Sequence, residues 1–149
     1  MTLIQVLLGE HGAIYPLLQQ IETTAPTADL PGLKMQAKLL CATLLSHADL
    51  EDDLLRPDVL PFLPAALPAA DGSVAPTDHE VIRAGLEQVS GAGEVTEARR
   101  WLLETVAKTR THFLKEETII FGIARRKLSP ERQNELAGEW ARRRGVSVN

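Results

Sequence analysis

Apolar residues recur along this chain at spacings of three and four, the period of a helix and not of a strand. Ile4, Leu7, Leu8, His11, Ile14, Leu18 and Ile21 share one stripe and predict a helix over about residues 2–23, with Pro16 inside it as a kink. Thr23 to Ala28 reads as a loop. Leu33, Ala37, Leu40, Leu44, His47, Glu51 and Leu54 define a second stripe, a helix over about 31–56 that Pro57 stops. Pro57, Pro61, Pro64, Pro68 and Pro76, with an Asp71-Gly72-Ser73 turn signal, make residues 57–76 an ordered crossover or lid without a long helix. Phe62, Leu63 and Leu67 are apolar enough to pack it back onto the body.

A third helix, about 77–90, is capped by Thr77 or Asp78 and carries His79, Ile82, Leu86 and Val89 on one face. Glu80 suits its first turn, where negative charge is favoured. A fourth helix runs over about 94–127, with Leu102, Thr105, Thr109, His112, Glu116, Ile119 and Ile123 facing inward. Ser129 and Pro130 then open a short fifth helix, about 130–144, ending near Gly145. The expected fold is all-α: an up-down four-helix bundle over about 2–127 with a short extra C-terminal helix, in a single domain covering 1–149.

Composition agrees with helix: aromatics are only 4% of the 149 residues. A net charge of −4 gives no general pull toward nucleic acid. No apolar run approaches the roughly 20 residues that span a membrane, and the N-terminus lacks the basic stretch of a signal peptide. The single cysteine, Cys41, excludes a disulfide framework and fits a reducing compartment, so a cytoplasmic location is expected.

Chemistry concentrates in the four histidines, His11, His47, His79 and His112. Each falls on a different predicted helix, and each lies on the apolar stripe. Glu51 follows His47 by four positions and Glu116 follows His112 by four, so each pair presents an imidazole and a carboxylate to one point inside the bundle. A buried carboxylate needs a compensating partner. Two metal cations bridged by the two glutamates would supply it, and mixed imidazole–carboxylate ligation suits iron, manganese or zinc. The single-His helices, each followed by a helix with His-x-x-x-Glu, form a faint two-fold echo.

Tyr15 lies one turn after His11 and is a candidate donor behind the metals. Cys41 lies well off the ligand face and reads as an inert thiol. His79-Glu80-Val81-Ile82-Arg83 is not a zinc-protease motif. The basic runs Arg125-Arg126-Lys127 and Arg142-Arg143-Arg144 read as solvated helix ends, and Trp101 and Trp140 as packing anchors for the fifth helix.

The order of motifs, Glu10-His11, His47-Ala48-Asp49-Leu50-Glu51, Asp78-His79, then His112-Phe113-Leu114-Lys115-Glu116-Glu117, resembles the hemerythrin-like (HHE cation-binding) proteins over about residues 3–127. The resemblance implies two non-haem iron ions, with His11, His47, His79 and His112 as terminal ligands and Glu51 and Glu116 as bridges. It implies binding, sensing or redox processing of oxygen, nitric oxide or peroxide. Two departures separate the chain from the oxygen carriers: those have a second histidine one turn from the first on the third helix, where this chain has Arg83 at +4 and Ala75 at −4 from His79, and those end in an aspartate at +5 from the last histidine, where this chain has Glu116 at +4 and Glu117, a weaker candidate, at +5. The pattern matches the branch with four His and two Glu. Iron storage or delivery, or a helical interaction module with a structural metal, are the alternative functions.

Overall fold

The computed structural model describes residues 1–63 and 76–147, and among these every regular element is helical. Helix α1 (Leu3–Thr24) runs unbroken across Pro16, and Thr2 opens it by exchanging bonds with Gln5. Helix α2 (Leu30–Leu50) starts from Asp29, whose carboxylate accepts from Gly32 N–H, with Pro31 in the first turn. It passes into a π turn (Glu51–Leu55), then α3 (Arg56–Val59) and a 3-10 turn (Leu60–Phe62). Helix α4 (Asp78–Gly91) has Thr77 as its cap, with the Glu80 carboxylate returning a bond to the Thr77 N–H. Helix α5 (Val95–Lys115) likewise enters a π turn (Glu116–Ile120) and continues as α6 (Phe121–Lys127). Helix α7 (Pro130–Arg144) starts at Ser129 and ends at Gly145, whose φ of 66° is a left-handed position that glycine adopts without strain.

The two π turns correct the sequence expectation. Pro57 does not stop the second helix. Arg56 N–H reaches back five residues to the Glu51 carbonyl, and Pro57 falls in the first turn of α3, where no N–H is needed. The second π turn adds one residue to the winding, so the inward face slips by one position. Ile119 is 52% exposed and Ile123 half-buried, while Phe121 and Ala124 are buried in their place. Of the expected crossover, residues 64–75, with Pro64, Leu67, Pro68 and the Asp71-Gly72-Ser73 turn, lie outside the described residues. Leu63 does pack back on the body, whereas Phe62 is exposed beneath the Lys127 ammonium.

Helix α1 packs on α2 and α5, α4 packs on α2 and α5, and α7 lies across α1 and the first π turn. Two apolar clusters result. One gathers Ile14, Leu18, Leu33, Leu40, Ile82, Leu86, Leu102 and Phe113; the other gathers Leu3, Leu7, Leu50, Leu54, Phe121 and Leu136. On α1, His11 falls between the two sets, and on α2 so does His47, while on α5 His112 adjoins Phe113, the last residue of the first set on that helix. A polar layer therefore separates two oily ones. Trp140 packs on the second cluster beneath α7, but Trp101 belongs to the first, so only one tryptophan anchors the fifth helix. Helix α4 meets α5 closely at Gly85. A Cβ there would lie 2.2 Å from Thr105 Oγ1, which is itself bonded to the Trp101 carbonyl at 2.7 Å. Gly85→Ala is expected to cost about 1–3 kcal/mol by forcing α4 and α5 apart, measurable by urea denaturation.

Candidate metal centre

All six sequence-predicted ligands converge in the polar layer. His11, His47, Glu51 and Glu116 each place one donor atom within 4.8 Å of the others, and so do Glu51, His79, His112 and Glu116. The two groups share both glutamates. His11, His47, His112, Glu51 and Glu116 are buried, and His79 is partly so.

The orientation of the rings is more telling than their proximity. Nδ1 of His11 faces Glu117 Oε1 at 2.8 Å, and that of His47 faces Glu10 Oε2 at 2.8 Å. Nδ1 of His79 faces Asp52 Oδ2 at 3.1 Å, and that of His112 faces Asp78 Oδ2 at 3.3 Å. An ionised carboxylate only accepts, so each Nδ1 carries the proton and donates it. Each Nε2 of a neutral ring is then a lone pair aimed inward. These lone pairs meet head-on: His11 and His47 Nε2 are 3.0 Å apart, and His79 and His112 Nε2 are 2.9 Å apart. Two acceptors at that distance repel unless a cation lies between them. Two nitrogens bound to one metal at ~2.0–2.1 Å and at right angles to one another would sit about 3 Å apart.

The carboxylates tell the same story. Both oxygens of Glu51 and Oε2 of Glu116 are buried without a hydrogen-bond partner. Glu51 Oε2 is 3.6 Å from His47 Nε2 and 3.8 Å from His79 Nε2, so it faces both histidine pairs. Glu116 does likewise, with Oε2 at 3.4 Å from His11 Nε2 and Oε1 at 2.9 Å from His112 Nε2. Burial, then the neighbouring Glu116 charge, pushes the Glu51 carboxyl well above the usual carboxylate range. Burial also works against the Glu116 charge, but His11 and His112 outweigh it and hold Glu116 well below that range. Burial lowers His47. It pulls on His112 too, where Glu116 and Asp78 prevail and raise it. The residues present therefore fit metal: inward lone pairs, unpartnered buried oxygens, and a carboxylate behind every imidazole, the arrangement that fixes ring orientation in histidine metal sites.

Sequence reasoning missed the role of all four acids behind the rings: it did not single out Glu10, Asp52 and Asp78, and it named Glu117 only as a weaker candidate ligand. Their signal lies in doublets: an acid precedes each single histidine (Glu10-His11, Asp78-His79), and an acid follows each expected bridge (Glu51-Asp52, Glu116-Glu117). The doublets are used crosswise. The acid beside a single histidine serves the other histidine of its pair, and the acid after a bridge serves a single histidine of the opposite pair. This completes the two-fold echo as a contact pattern. Glu117 thus stands behind His11 and not among the inward-facing donors.

Tyr15 O–H donates to the same Glu117 oxygen at 3.0 Å. Burial, then Glu117, pushes this phenol up to about 12. A group raised in the folded state contributes stability below its unfolded pKa and loses it as pH rises through the folded one. Tyr15 is the sole tyrosine, so alkaline titration of phenolate absorbance reads it alone. The expected outcome is a midpoint near 12 while the chain is folded, falling to about 10 in denaturant.

Cys41 is half-buried against the first apolar cluster, away from the donors. Arg83 is exposed on α4 and borders a cavity of about 20 Å³, whose walls include His47, His79, His112, Ile82 and Phe113. The C-terminal basic run is spent internally: Arg144 binds Glu10 and Ser46, Arg143 binds Glu139 and Asp53, and Arg142 pairs with Glu139. No described helix is long and apolar enough to cross a membrane. Set against models of known protein families, curated proteins and solved structures, the chain matches none of them.

Proposed function

We propose that the chain is a hemerythrin-like dinuclear metal protein, an up-down four-helix bundle of α1, α2, α4 and α5 with α7 packed against it. Its two metals are iron, with manganese or zinc as the other ions this donor set suits. In this reading His11 and His47 hold one ion, His79 and His112 hold the other, and Glu51 and Glu116 span both. The observation that carries it is the paired head-on imidazoles, each backed by its own carboxylate, around two buried glutamates with unpartnered oxygens.

Two iron ions would supply ferrous–ferric electron transfer to a small oxidant, so the function is binding or redox processing of oxygen, nitric oxide or peroxide, or sensing of oxygen or iron. The protein's own part is to neutralise charge with Glu51 and Glu116 and to hold each imidazole through its Nδ1–H. Apolar walls exclude bulk water. The cavity beside His79 and His112, with Arg83 among its lining residues, has room for about one water-sized molecule, which supports a small ligand.

Metal analysis, with optical spectra of the reduced and oxidised protein, tests the reading. Two irons per chain and a spectrum that changes with redox state are expected. A chain that takes up none of Fe(II), Mn(II) or Zn(II) overturns it, and a redox-silent metal whose removal melts the helices points to a structural ion.

A further inference from the structure

The C-terminal helix reaches the metal centre through one carboxylate. Glu10 Oε2 accepts from His47 Nδ1 at 2.8 Å. Its other oxygen, Oε1, accepts from Trp140 Nε1 at 2.9 Å and from Arg144 Nε at 2.7 Å. Trp140 and Arg144 are four residues apart, on one face of α7. Arg144 also bonds the Ser46 hydroxyl, and the Ser46 carbonyl at 3.1 Å, immediately before His47 in the chain. One turn of α7 thus fixes both the acid behind His47 and the backbone that carries it.

Among the described residues the opposite half has no such clamp. Asp78 occupies the place of Glu10, behind His112, but at 3.3 Å, and its further partner is the Lys115 ammonium at 2.8 Å. The Asp78 and Lys115 side chains are 45% and 53% exposed, against 14% for Glu10. A solvent-exposed Lys–Asp pair fixes little, because water screens it and both side chains lose freedom on pairing.

We propose that α7 belongs to the metal centre: Trp140 and Arg144 are positioning residues that act through Glu10 and make the His11/His47 position the tighter of two unequal metal positions. This rests on the reading of the cluster as a dinuclear site. With Glu10 fixed at both ends, the His47 ring stands in one tautomer and one orientation before metal arrives. The His112 ring must be ordered as its metal binds, and that ordering subtracts from affinity.

Titration of the metal-free protein with Co(II), followed by its visible bands, tests this. A parallel titration with Zn(II) follows Trp140 emission in a Trp101→Phe background, where Trp140 is the only tryptophan. Two resolved steps are expected, with the Trp140 emission changing in the first. Trp140→Phe keeps most of the packing and removes the N–H. It should weaken the first step about tenfold and leave the second step and the helical circular dichroism unchanged. Arg144→Gln should act in the same direction, with Arg144→Lys between it and the native chain. Asp78→Asn should weaken only the second step. Two equal steps in the native protein, a first step untouched by both α7 substitutions, or equal weakening of both steps would each overturn the proposal while leaving the dinuclear site standing. No uptake of either metal would overturn both.

Discussion

Glu51→Gln is expected to make the metal-free protein more stable while stripping it of metal. Both carboxylate oxygens of Glu51 are buried without a partner, and burial with the Glu116 charge raises its pKa. A glutamine of the same shape removes that charge, and its amide N–H can donate to the lone pairs of His47 and His79 Nε2, now 3.6 and 3.8 Å from Glu51 Oε2. Relief of an unsatisfied buried group is worth about 1–3 kcal/mol. The native Glu51, with its raised folded pKa, contributes its stability below the unfolded value near 4 and loses it as pH rises through the folded one. The advantage of the glutamine variant therefore opens as pH climbs above the carboxylate range and closes in acid. Glu116 behaves in the opposite way. Burial works against its charge, but His11 and His112 hold its carboxyl below the usual range, so removing the charge in Glu116→Gln should destabilise the metal-free chain. After loading, either variant should retain one metal or none, because each removes a charge that faces both positions. Denaturant titrations of the metal-free chains across pH, with metal analysis after loading, read both halves of this expectation. A glutamine variant at 51 that is less stable than the native metal-free protein at neutral pH would contradict it.

The largest loss of stability is expected from Phe113→Ala, about 3–5 kcal/mol. Phe113 is fully buried and forms the boundary between the first apolar cluster and the polar layer. Its ring stacks on that of His11 with centroids 3.8 Å apart and planes 9° apart, and it meets Tyr15 and His47 edge-on at 5.6 and 5.5 Å. One substitution removes the packing of three aromatic neighbours and opens a void beneath them. Phe113 also lines the cavity beside His79 and His112, so the variant should lose metal to a chelator faster than the native protein does. A midpoint shift in urea corresponding to less than about 1 kcal/mol would mean that the layer collapses to fill the gap.

The positions of α1, α2, α4, α5 and α7 were legible in the sequence, and so were the caps of α4 and α7, because periodicity and capping residues are local signals. Ser129-Pro130 and Thr77 with Glu80 act as their side-chain chemistry requires. The six inward-facing donors were legible too, since each combines a polar side chain with an apolar stripe. The π turns were not. Nothing within Glu51–Leu55 or Glu116–Ile120 distinguishes them by propensity, and their only trace is a slip of the buried stripe, to adjacent Leu54 and Leu55 and to Phe121 and Ala124. Such a slip shows only once the partner helices fix which face is inside. The acids behind the histidines escaped for a related reason: each reaches a ring on another helix, a relation that spacing along one helix cannot express.

The crosswise use of the acids bears on the order in which the chain folds. His11 and Glu117 are 106 residues apart in sequence, and Glu10 and Arg144 are 134 apart, whereas α4 and α5 meet across a short turn. Closing a long loop costs entropy that a few polar bonds return only when everything around them is already in place. Loop-closure entropy favours an order in which the metal centre is assembled late, after neighbouring helices have paired and the two oily layers have formed. Until then its histidines and acids are held apart on separate pieces of chain. A newly made chain would reach a nearly complete fold before it could grip an ion, and loading would follow as the closing event of maturation.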